Sequence, residues 1–126
     1  MVDGGTRPGA QEITQAPWIH LTPLARPIPN DLLHGPLDPG ETEVIALALE
    51  RNDPALVLIL DDDPARNEAS SRGLAVTGTA GVALLAKRRG LLDLVAPVLE
   101  ELQDVGLYLS AAVVETIIQS ANEGRG

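Results

Sequence analysis

The stretch Ala55-Leu56-Val57-Leu58-Ile59-Leu60-Asp61-Asp62-Asp63 decides how this 126-residue chain is read. Six consecutive apolar residues, rich in branched side chains, fit a short strand buried on both faces of a parallel sheet. Three aspartates close it. In open α/β sheets, ligands sit at the carboxyl ends of such strands. Carboxylates crowded there repel one another unless a cation or a basic partner offsets them. The placement points to a hard-metal site.

Outward from that strand the elements alternate. A helix is expected over residues 39–51, before the strand at 55–60. After the aspartates, 64–72 reads as a helix ended by Gly73, then 74–76 as a strand and 79–89 as a helix ended by Gly90. Residues 91–105 are expected to be helical despite Pro97, and Ser110 to cap a last helix reaching about residue 122. Upstream, 18–24 alternates loosely and is expected as a strand, and five prolines between 23 and 39 mark a loop with a short helix near 30–34. Residues 1–17 read as a flexible lead-in with one helical turn near 10–15, and 123–126 as a frayed tail. The whole, 1–126, is expected to be one α/β domain: a short parallel sheet with extra C-terminal helices.

Composition narrows the function. There is no cysteine, so disulfides and thiolate chemistry are excluded. Eighteen acidic residues against nine basic ones give a formal net charge of −9, which disfavours non-specific binding to nucleic acid or anionic membranes. Trp18 and Tyr108 are the only aromatics, leaving little on which bases can stack. No apolar stretch reaches transmembrane length and residues 1–17 lack a signal-peptide core, so a soluble cytoplasmic protein without a membrane partner is expected.

Each candidate residue has a structural reading beside the functional one. Asp38-Pro39-Gly40-Glu41 fits a capping box, which accounts for Glu41, although a carboxylate there can also bind metal. Asp63, before Pro64, is placed to cap the next helix, whereas Asp61 and Asp62 are not needed as caps. Asp61 is the first choice for a ligand, with Asp62 second, since side chains alternate along an extended backbone. Arg66, one helical turn after Asp62, is either its structural partner or a substrate clamp. Thr77-Gly78-Thr79 is either an ordinary turn with Thr79 as helix cap or a phosphate-binding turn of backbone amides and hydroxyls. Lys87, Arg88 and Arg89 suit a helix C-terminus and also form the chain's only concentrated basic patch. His20 and His34 lack zinc-ligand spacing.

Several segments in fixed order, "RPGAQEITQAPWI", "LDPGETEVIALALE", "LVLILDDDPARNEASSRGLAVTGTAGVALLAKRRGLL" and "VAPVLEELQDVGLYLS", resemble the PIN-domain-like proteins of bacteria and archaea. The resemblance implies a three-layer α/β/α fold and kinship with the toxin ribonucleases of toxin–antitoxin operons, which cut RNA with magnesium or manganese. By position, Glu41 and Asp61 match two acidic positions of that pattern, with Asp62 beside them. Thr77, Gly78 and Thr79 match its Thr-Gly turn, Arg66 its arginine after the aspartates, and Lys87 is assigned with them to the substrate backbone. The family's usual N-terminal strand, bearing a further Asp, and the helices after it have no counterpart here, so an N-terminally truncated domain is expected. That implies re-pairing of strands, self-association or a complementing N-terminal segment. Two functions follow: a metal-dependent ribonuclease of toxin–antitoxin type, or a catalytically inactive remnant that binds itself or a partner such as an antitoxin.

Overall fold

The computed structural model describes residues 10–124; residues 1–9 of the expected lead-in and 125–126 of the expected tail lie outside the described residues. In chain order come α1 (Ala10–Gln15), α2 (Asn30–Leu33), α3 (Pro39–Arg51), β1 (Val57–Ile59), α4 (Asp63–Ser71), β2 (Ala75–Thr77), α5 (Thr79–Arg88), α6 (Ala96–Asp104) and α7 (Ala111–Ser120). The strands run parallel, joined through α4, with Val57 opposite Ala75 and Ile59 opposite Thr77. The α/β class is as expected.

Local chemistry sets the helix limits. Asp38 caps α3 by accepting the Glu41 N–H at 2.8 Å, Pro39 opens its first turn, and Asn52 closes it in the left-handed region at φ 48°. Gly73 and Gly90, at φ +80° and +77°, end α4 and α5 as expected. Ser110 caps α7, accepting the Val113 N–H at 3.2 Å.

Packing divides into two cores. One lies among α2, α3, β1 and α4, with Leu32, Ile45, Leu58 and Leu60 packed against Ala46, Ala48, Ala65 and Ala69. The other lies among α5, α6 and α7, with Val95 and Leu99 against Ala80, Ala83 and Ala121. With no phenylalanine in the chain, alanine does much of the filling. Small side chains at the contacts let helix backbones approach closely.

Three expectations need correction. Residues 18–24 form no strand: the chain turns at Pro17 and Trp18 and runs irregularly to α2. Pro23 within the segment has no ladder donor, and just beyond it the N–H groups of Ala25 and Arg26 go to the Glu50 carboxylate at 3.1 and 2.7 Å. The sheet among the described residues is therefore two-stranded. Next, β1 is not buried on both faces: Leu58 faces the first core, while Val57 and Ile59 are 52% and 56% exposed. Lastly, α6 begins at Ala96 rather than 91, because Pro97 inside a helix would lose a hydrogen bond and clash with the preceding turn. At the second position of α6 its missing N–H is one that no helix bond uses.

Candidate functional site

The site forms where β1 ends. Asp61 leaves the strand and its carboxylate crosses to the start of α5, accepting the Thr79 N–H at Oδ1 (2.7 Å) and the Thr79 hydroxyl at Oδ2 (2.6 Å). Gly78, not Thr79, is the cap residue of α5, and it supplies no side-chain cap of its own. Asp61 supplies the acceptor from another element. Gly78 is needed for this approach, since a Cβ there would lie 2.9 Å from Asp61 Oδ1. The turn does bind an anion at a helix start, and that anion is the protein's own carboxylate.

Asp62 caps α4, its Oδ2 accepting the Ala65 N–H at 3.4 Å, while Asp63 is the first helical residue. The expected cap at Asp63 is thus corrected by one position, and both Asp61 and Asp62 serve helix starts. Glu41 stands in the first turn of α3, half-buried. Its carboxyl pKa is raised, first by desolvation and then by the negative charges of Asp38 and Asp62. Glu41 and Asp62 therefore share an electrostatic neighbourhood although they start different helices.

An open cleft of about 860 Å³ joins these pieces. Asp61, Asp62, Arg66, Thr77 and Gly78 line it together with Tyr108, Ser110 and the first turns of α7. The walls come from both cores. The Arg66 side chain is half-buried, lines the cleft and is uncommitted to any ion pair with a described residue. The expected pairing of Arg66 with Asp62 is not made.

Three expected site residues are absent from the cleft lining: Glu41, Lys87 and Thr79, whose N–H and hydroxyl both go to Asp61. Lys87 is eight residues along α5 from Thr79, about 12 Å at the usual rise per residue. There its ammonium donates to the Ala121 carbonyl at 2.6 Å and to Glu123 Oε2 at 2.7 Å. The tail expected to fray at Glu123 is instead tied down there, its carboxylate also accepting the N–H groups of Val95 and Ala96 at 2.6 and 3.1 Å. Its pKa is lowered, foremost by the Lys87 hydrogen bond. Tyr108 and Ser110 were missed as cleft residues; a lone tyrosine between two helices was their only signal.

Among the described residues, no three acidic or histidine side chains gather closely enough to enclose a metal ion. What the site offers is a smaller set. Asp61 uses one lone pair on each oxygen for Thr79, leaving one on each, and Asp62 has one oxygen outside its cap bond. Magnesium is commonly held by one or two carboxylates with water completing its shell, and this donor set fits that mode. Asp38 and Asp62 add negative charge beside Glu41, an excess that a dication near Asp62 would reduce.

A family model for the PIN domain matches residues 1–123 of the chain. No curated protein and no solved structure gives a match.

Proposed function

This chain belongs to the PIN-domain family, and on that premise we propose that it is a magnesium- or manganese-dependent ribonuclease of toxin–antitoxin type. The family carries nuclease-like chemistry and, in general, dependence on a divalent metal. One observation carries the finer reading: an uncommitted arginine and two carboxylates share one open cleft at the carboxyl end of a parallel strand.

Asp61 and Asp62 would hold the ion, with Glu41 adding charge from beside Asp62. When bound, the ion supplies charge neutralisation at a phosphodiester and acidifies a coordinated water. The chain's own residues do the rest. Thr79 fixes the Asp61 carboxylate through two hydrogen bonds, so the ligand is oriented before any cation arrives. Arg66 donates to the phosphate oxygens of the substrate, the fork of its guanidinium matching their geometry. Thr77 also lines the cleft, its hydroxyl donating to the Gly78 carbonyl at 3.4 Å.

A second reading has its own support. β1 pairs on one side only among the described residues, and Val57 and Ile59 stay exposed on the open face. A free edge beside an apolar face favours association with a second copy, an antitoxin or a complementing strand. In that reading the chain is an inactive partner-binding protein.

Titration calorimetry with magnesium and manganese on wild type and Asp61→Asn separates the two. Metal binding that the substitution abolishes, followed by metal-dependent cleavage of RNA, supports the nuclease. No binding at millimolar metal sinks it and leaves the partner-binding reading.

A further inference from the structure

We infer that the cleft takes single-stranded nucleic acid with an unpaired base stacked on Tyr108, an inference that rests on the ribonuclease reading and specifies how substrate is held. The loop after α6 is an ordered one. The Gly106 N–H donates to the Gln103 carbonyl at 3.1 Å and the Leu107 N–H to the Leu102 carbonyl at 2.9 Å, closing the helix with Gly106 at φ +108°. Ser110 then opens α7 with its own cap bond. Between these anchors Leu107 and Leu109 are half-buried, and Leu109 packs on the second core. Alternation leaves the Tyr108 side chain pointing out, 85% exposed, at the cleft that Asp61, Asp62 and Arg66 also line. An aromatic ring held in water by a fixed loop gains nothing for folding.

Charge explains why a neutral contact matters here. A polyanion entering the cleft meets one uncommitted arginine and three successive aspartates, in a chain of net charge −9. Backbone phosphates alone give such a site little affinity. Bases are neutral and present a π-face, and Tyr108 is the only aromatic lining the cleft. Stacking needs a base free of its pair, so the occupant is a single strand or loop rather than a duplex. Arg66 then holds a phosphate and Tyr108 a base within the same cleft.

The test measures binding of a fluorescein-labelled single-stranded oligoadenylate and of an abasic oligomer of equal length, in magnesium, by anisotropy. Tyr108→Ala is expected to weaken the oligoadenylate about 10-fold or more while leaving the abasic oligomer unchanged, and Tyr108→Phe to bind as wild type. A circular-dichroism melt of Tyr108→Ala matching wild type shows that the fold is intact, as expected for an exposed ring. Equal affinity of Tyr108→Ala and wild type for oligoadenylate overturns the inference while the nuclease reading stands. So does equal affinity of wild type for the two oligomers. Wild type that binds metal and neither oligomer removes the ribonuclease reading, and the inference falls with it.

Discussion

Asp61 is held by Thr79 while Glu41 sits near like charges, and the two are tested by different substitutions. Glu41 has a raised pKa from desolvation and from Asp38 and Asp62, so its ionised form opposes folding at neutral pH. That opposition vanishes as pH falls through the raised value, where Glu41 is protonated. Glu41→Gln preserves an acceptor for the helix start and should raise Tm by about 1–3 °C at pH 7, with no gain in acid. Thermal melts across pH check this, and the same variant should bind magnesium more weakly. Gly78→Ala tests the partner contact: its methyl would press on Asp61 Oδ1, costing about 1–3 kcal/mol and uncoupling the carboxylate from Thr79. A melt and a metal titration read both losses. The acidic run was legible as a candidate site because three like charges meet at the carboxyl end of an apolar strand, although two of them also serve helix starts. Which aspartate did what was not legible. A helix starting one residue earlier than expected moved the cap from Asp63 to Asp62, and the Asp61–Thr79 contact spans 18 residues.

At the level of elements, sequence signals with a local mechanism were readable and those with a distant one were not. Asp38-Pro39, Ser110, Gly73 and Gly90 act within their own turn, and the helices they bound came out within a residue or two. The strand expected at 18–24 depended on a neighbour that the fold does not offer it, and Pro23 within it lacks a ladder donor. Glu123 is the strongest case. It binds the end of α5 to the start of α6 from beyond α7, through Lys87 and two backbone amides. Its lowered pKa means that this stabilisation is present above the usual glutamate range and is lost as pH falls through the lowered value. Glu123→Gln should therefore lower Tm by several degrees at pH 7, with the difference from wild type closing in acid. Hydrogen exchange at the Ala96 amide should quicken in the variant.

Across the whole molecule, the α/β class was legible from the order of elements, whereas the open face of the sheet was not, since an apolar run reads alike whether both faces are covered or one. Two parallel strands make a small sheet with an unpaired edge, next to Val57 and Ile59. Wild type is expected to self-associate with rising concentration in sedimentation velocity, and Ile59→Lys to remain monomeric at the same loading. Unchanged sedimentation would remove self-association from the partner-binding reading. Among the described residues no helix is long and apolar enough to cross a membrane.

The alanines of the two cores have a consequence for how this chain can change. Ala65 and Ala69 are fully enclosed, and Ala46, Ala48, Ala80, Ala83 and Ala121 nearly so. A buried leucine can shrink in steps, each leaving a cavity that neighbours partly fill. An alanine has one carbon to give up, and every larger replacement must push helix backbones apart. Drift at these positions is therefore confined to the smallest side chains. Sequence variation is steered outward, to the cleft walls and the bare sheet face, where new contacts can be tried without reopening the interior.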